Sequence, residues 1–238
     1  MLIAIVNPNT TASMTDAVVE AASAIARPDT ELLAVTAPTG VPSIESHIDE
    51  VHGSAAVLAE VERLEAAESA AARPDAYVIA CFGDTGLPGA REAATGPVVG
   101  MTEAALMTAA LLAHRFSIIT MPARTIEQSD RVVRTLGLGH RATVRAVDEP
   151  VSEVTSGSLH LLDLFVAEGR RAIADDRAEA IILGCAGLAD LVAPLASALG
   201  VPVIEGVSAA VTLAEGLVAQ GLTTSRALTW GRPGEVRS

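Results

Sequence analysis

The sequence predicts an α/β protein built as two pseudo-symmetric halves, each with a mainly parallel sheet, enclosing a site in the cleft between them. Three observations predict it. Short, continuously apolar runs alternate with Ala-rich helical segments, the pattern of parallel strands covered on both faces. Half of the 238 residues are hydrophobic, so a large core is available even though aromatics are scarce. The chain also repeats itself, and ordered self-similarity marks duplication.

Taken in order, the expected strands are Leu2–Val6, Glu31–Ala37, Ala76–Cys81, Pro97–Gly100, Phe116–Thr120, Thr143–Val147, Ala180–Gly184 and Pro202–Glu205. Each is a brief Val/Ile/Leu/Ala run bounded by Gly, Pro or polar residues. The expected helices are Thr11–Ala26, His52–Ala72, Thr102–His114, Thr125–Leu136, Ser158–Asp175 and Ser208–Gln220. A shift of 104 positions lays "DAYVIACFG" (Asp75–Gly83) on "EAIILGCAG" (Glu179–Gly187). A shift of 105 lays "PVVGMTEAA" (Pro97–Ala105) on "PVIEGVSAA" (Pro202–Ala210), and a shift of 114 lays "LIAIVNP" (Leu2–Pro8) on "FSIITMP" (Phe116–Pro122).

Ligands of parallel sheets sit beyond the carboxyl ends of the strands. The chain has two cysteines, Cys81 and Cys185, and the repeat places them at equivalent strand ends, on opposite walls of one cleft. A lone cysteine after a strand reads as a small buried hydrophobe; the duplicated placement argues for chemistry. Inverting a carbon stereocentre with a weakly acidic hydrogen needs a base on one face and an acid on the other, and a thiolate–thiol pair supplies both. Each cysteine also precedes a helix start, whose N–H groups can steady a thiolate or an enolate oxygen.

Several functions are excluded or disfavoured. All 16 Lys+Arg residues are arginine, so no lysine amine is available for a Schiff base on pyridoxal phosphate or a substrate carbonyl. A net charge of −13 with no basic run argues against nucleic acid. The start "MLIAIVNPNTT" has neither a basic n-region nor a membrane-length apolar run, so a cytoplasmic protein with free thiols is expected. The five histidines lack metal spacing. Gly83, Gly86 and Gly89 form no phosphate or dinucleotide fingerprint.

The stretches "VNPNTT" (Val6–Thr11), "PSIES" (Pro42–Ser46), "YVIACFGDTGL" (Tyr77–Leu87), "GPVVGMTEAA" and "AIILGCAGLADL" (Ala180–Leu191) together resemble the aspartate/glutamate racemase superfamily, in its hydantoin racemase and allantoin racemase branch. The resemblance runs from Ile3 to about Thr224. It implies a cofactor-independent, two-cysteine racemase of two flavodoxin-like halves, commonly a homo-oligomer, acting on a small cyclic ureide. It also implies that residues 1–98 plus 208–238 make one half and 99–207 the other. Cys81 and Cys185 fall on the family's catalytic thiols. Asn9 and Thr10 fall on the loop after the first strand, Ser43 and Ile44 on a substrate-contacting loop, and Thr120 on a strand end of the second half. The neighbours Phe82, Gly83, Ala186 and Gly187 are carried with the cysteine motifs as substrate-binding residues. The branch usually has Pro at Thr85 and often Gly at Ser46, departures that touch loop shape. Relatives that decarboxylate malonates keep the second thiol alone.

Other residues admit two readings. "NPNTT" is a turn with a helix cap or a ligand loop. Asp84 orients a thiol, binds a ring N–H, or simply makes a Gly-Asp turn. Arg124 meets a polar substrate arm or faces solvent. The function is read first as inversion of C5 in a 5-substituted hydantoin, with allantoin, then aspartate or glutamate, as alternatives. A two-lobed binding protein without turnover is the remaining reading.

Overall fold

The computed structural model describes residues 1–69, 72–154 and 158–232, with the side chains at 158 and 159 left aside. Positions 70 and 71 of the expected second helix, and the last six positions of the expected first half, lie outside the described residues. The strands are β1 (Leu2–Asn7), β2 (Glu31–Thr36), β3 (Ala76–Ile79), β4 (Val98–Gly100), β5 (Phe116–Thr120), β6 (Ala142–Ala146), β7 (Ala180–Gly184) and β8 (Val203–Glu205). They form two four-stranded sheets, ordered β2-β1-β3-β4 and β6-β5-β7-β8, with every pairing parallel. The two halves therefore share one topology. The sheets' inner strands β3, β5 and β7 are buried along their whole length, as strands covered on both faces must be.

The helices are α1 (Ala12–Ser23), α2 (His47–Glu65), α3 (Leu87–Ala93), α4 (Met101–Leu112), α5 (Ile126–Thr135), α6 (Leu162–Arg171), α7 (Val192–Leu199) and α8 (Gly206–Ala219). Two expected helices are corrected. The second starts five residues early, at His47, because Ser46 caps it by accepting from Asp49 N–H at 3.2 Å. The segment read as one helix, Ser158–Asp175, divides into a 3₁₀ turn, α6, and a final π turn over Ala172–Asp176 that ends at Arg177 with φ 58°.

The two helices that follow the fourth strands cross over. Val207, Ala210, Val211 and Ala214 of α8 pack with Ile3, Ile5, Val78 and Val99 of the first sheet. Its Glu215, buried, accepts from Arg27 N–H and Thr30 Oγ1 of the loop before β2. Conversely, Ala105, Leu106 and Ala109 of α4 pack with Phe116, Ile118 and Ile182 of the second sheet. Arg141, just before β6, donates to the carbonyls of Ala110, Ala113 and His114 at that helix's end. Among the described residues, no helix is long and apolar enough to cross a membrane.

Candidate active site

Each sheet aims its carboxyl edge at one cleft. Asn7 ends β1, Ala80 and Cys81 follow β3, Thr120 ends β5, and Gly184 with Cys185 ends β7; all line the same cavity. The empty space among these side chains, open solvent at the mouth included, is about 610 Å³. Its wall also includes Met14, Val18, Ile44, Phe82, Met121, Gln128, Val151 and Val154, and none of the lining residues is charged.

The two thiols are free, partly exposed to the cavity, and differently served. Cys81 sits in a loop that winds through Gly83 (φ 100°) and Asp84 (φ 55°) before α3 begins at Leu87. Among the described residues, no helix N-terminus donates to its sulfur. Instead Sγ lies 3.4 Å from Thr85 Oγ1 and donates to Phe82 O at 3.7 Å. Burial pushes this thiol up to about 12; the Thr85 hydroxyl opposes the rise, and the nearby charges of Cys185, Asp84 and Glu50 add to it. Cys185 caps a 3₁₀ helix that starts at once with Ala186. Burial raises it too, and the nearby N–H groups of Gly187 and Ala186 oppose the rise. The helix-start reading thus describes Cys185 and not Cys81.

Of the residues expected at the site, Asn9, Ile44, Cys81, Phe82, Thr120, Cys185, Ala186 and Gly187 line the cavity. The others stand behind or beside it. Thr10 is exposed and donates its N–H to Val41 O, and Ser43 donates to Glu45 Oε1. Arg124, in a short 3₁₀ turn, is exposed and lies outside the lining. Gly83 N–H donates to Thr102 Oγ1 at 2.7 Å. Asp84 is buried, and its carboxylate accepts from Thr102 N–H and Glu103 N–H at the start of α4, 2.8 and 2.9 Å away. Burial and the Glu103 carboxylate lift its pKa to about 7 against those two donors. Asp84 caps α4 and pins the Cys81 loop to it, a role outside the readings drawn from the sequence.

Sequence reasoning missed Asn7, Met14, Thr125, Gln128 and Ser129 in the wall, and Thr85 beside the sulfur. Asn7 is consumed internally, donating to Asn9 Oδ1 and Thr15 Oγ1 and accepting from Asn9 N–H. A signal for Gln128 existed: the 114-position repeat, followed only as far as Pro122, continues into α5 and lays Met14 on Gln128.

Residues 3–214 match the Asp/Glu/Hydantoin racemase family. The chain is 42% identical to a hydantoin racemase of Rhizobium meliloti, over 98% of this chain and 95% of that one. It is 40% identical to a hydantoin racemase of Pseudomonas sp. (strain NS671), over 98% and 92%. Among solved structures, an allantoin racemase from Klebsiella pneumoniae superposes with a TM-score of 0.90 at 41% identity, covering 98% of this chain and 94% of that one. With two like sheets meeting at one cleft and this likeness over nearly its whole length, the chain is a racemase and belongs to the Asp/Glu/Hydantoin racemase family.

Proposed function

We propose that the chain inverts C5 of a 5-substituted hydantoin, with Cys81 and Cys185 as the two proton carriers and no cofactor. The observation that carries this is the pair of thiols at equivalent strand ends of one cleft whose lining holds no charged side chain. A cyclic ureide is neutral and its C5–H is acidified by the adjacent carbonyl. An amino-acid substrate would bring a carboxylate and an ammonium into that uncharged wall, at a large desolvation cost. The thiolate of one cysteine takes the C5 proton, and the electron pair moves onto the carbonyl oxygen as an enolate. The other cysteine's thiol returns a proton to the opposite face and is left as thiolate. Solvent exchange then restores the starting protonation. Burial raises both thiols, and the rise is opposed by the Gly187 and Ala186 N–H groups at Cys185 and by the Thr85 hydroxyl at Cys81.

Chiral chromatography of each enantiomer of 5-isobutylhydantoin tests the reading, which is wrong if neither converts. Allantoin is the second reading, favoured by the likeness to an allantoin racemase structure. The proposal includes a cytoplasmic setting, in keeping with free thiols. It also includes a homo-oligomer, in keeping with exposed Leu111 and Leu112 on α4; sedimentation as a monomer would refute that part.

A further inference from the structure

The pseudo-two-fold axis makes the two cysteine walls alike, but the flanking walls differ. Extending the 114-position repeat from β1 and β5 into α1 and α5 pairs Met14 with Gln128 and Thr15 with Ser129. In the first half, Thr15 is fully engaged: Asn7 Nδ2 donates to it at 2.9 Å and it shares a hydrogen bond with Thr36 Oγ1 at 2.6 Å. In the second half those partners have apolar counterparts, Met121 for Asn7 and Val147 for Thr36. Ser129 consequently has no side-chain hydrogen bond among the described residues, and neither has Gln128, although they are 1% and 4% exposed. Both line the cavity, so the little surface they keep faces it. A Cβ placed on Gly83 would stand 3.7 Å from Gln128 Oε1, so this amide lies beside the Cys81 loop.

Other polar side chains of the wall are already committed. Thr120 Oγ1 bonds Thr125 Oγ1 and Gly184 O, and Thr125 Oγ1 bonds Pro122 O. Asn9 Oδ1 accepts from Thr11 N–H and Asn7, leaving its amide hydrogens on the Met14 sulfur, a weak acceptor. No buried side-chain polar atom lacks a partner among the described residues, so the polar atoms of Gln128 and Ser129 keep their open surface on the cavity, and a ligand that displaces solvent there has to offer them partners.

We infer that Gln128 and Ser129 form the subsite that holds the N–H/C=O edge of the substrate ring, while Met14, Val18 and Ile44 on the facing wall take the C5 substituent. A carboxamide presents a donor and an acceptor in one plane, the complement of an N–H beside a carbonyl. This rests on the ureide reading above and deepens it: the polar wall and the apolar wall fix one ring orientation, so the C5–H alone changes face between enantiomers. The subsite favours apolar C5 substituents over a ureido arm.

Unsubstituted hydantoin, which has the ring edge but no substituent, isolates the claim. Titration calorimetry should show its Kd weakened about tenfold or more in Gln128→Met and severalfold in Ser129→Ala, and unchanged in Met14→Gln. Kinetics with 5-isobutylhydantoin should show Met14→Gln raising KM and narrowing the preference for that substrate over allantoin. Hydantoin binding unaltered in a Gln128→Met or Ser129→Ala protein of wild-type melting temperature overturns the inference. A wild-type chain that neither binds nor racemises any cyclic ureide sinks the ureide reading, and this subsite with it.

Discussion

The first and second halves stop the same problem by different means. A helix that begins inside the protein, α4 or α8, leaves N–H groups that need an acceptor. In the first half the acceptor arrives from another loop, as Asp84, and it fits because Gly100 has no side chain: a Cβ there would overlap the Asp84 carboxylate. In the second half the position equivalent to Gly100 is Glu205, which caps its own helix by accepting from Val207 and Ser208 N–H at 2.5 and 2.9 Å. The position equivalent to Asp84 is Leu188, fully buried in apolar core. What the duplication keeps is the physical requirement, a carboxyl group over buried N–H groups, and not the residue that meets it. The difference reaches the thiols. Borrowing its cap from the Cys81 loop ties Gly83 and Asp84 of that loop to the start of α4. The Cys185 loop, free of that duty, winds directly into a 3₁₀ turn whose first N–H groups, at Ala186 and Gly187, oppose the upward push of burial on the thiol.

The largest effect should come from breaking the pair itself. Cys81→Ser and Cys185→Ser should each lose racemisation by roughly 10³-fold or more, because a hydroxyl is a poor base near neutral pH. In deuterium oxide each variant should still exchange the C5 hydrogen of one enantiomer with retention, and the two should serve opposite enantiomers. If both exchange the same one, the two-face arrangement is wrong.

Next come the caps. Gly100→Ala should destabilise by about 2–4 kcal/mol, since the new methyl displaces a buried carboxylate and opens the α4 cap. Glu205→Ala removes the cap itself and should cost about 1–2 kcal/mol; denaturant melts of both variants rank them. The Asp84 cap should also write itself into the pH dependence of stability. Its folded pKa of about 7 lies above the ordinary 3.8, so between those values the folded state holds more proton than the unfolded one. Stability from this group is therefore complete below about pH 4 and falls as pH rises toward 7. Asp84→Asn should flatten that slope in urea melts at pH 4.5 and 7. An unchanged slope means that Asp84 is ionised throughout.

All eight strands were legible because each is an apolar run with breakers at both ends, and the shared topology followed from the repeat. Ser46 hid the start of α2, since its capping reads equally well as loop polarity. The cavity residues nearest the thiols were legible because they sit in the cysteine motifs. Gln128 and Ser129 were not, because a polar pair in an amphipathic helix reads as solvent-facing until the cleft is known to close over it. Asp84 was read with the Cys81 motif in view; that its carboxylate turns to α4 depends on Gly100, sixteen positions on, which no local pattern couples to it.

The smallest effect isolates the hydroxyl beside Cys81. Thr85 Oγ1, 3.4 Å from Cys81 Sγ, opposes the upward push of burial on that thiol. Thr85→Val should raise the Cys81 pKa further, leaving less thiolate near neutral pH. A neutral hydrogen bond is worth about 0.5–1.5 kcal/mol, so the loss should be between two- and tenfold. Ordinary racemisation kinetics hide which thiol is affected: the equilibrium constant is one, so kcat/KM falls equally in both directions. The single-thiol backgrounds reveal it. With Cys185→Ser, where Cys81 alone abstracts the proton, Thr85→Val should slow isotope exchange and move its pH profile upward. With Cys81→Ser the same substitution should leave exchange unchanged. Equal slowing in both backgrounds would mean that Thr85 acts through its packing beside Gly53 of α2, where a Cβ would stand 3.0 Å from Thr85 Cγ2, and not through its hydrogen bond to the thiol.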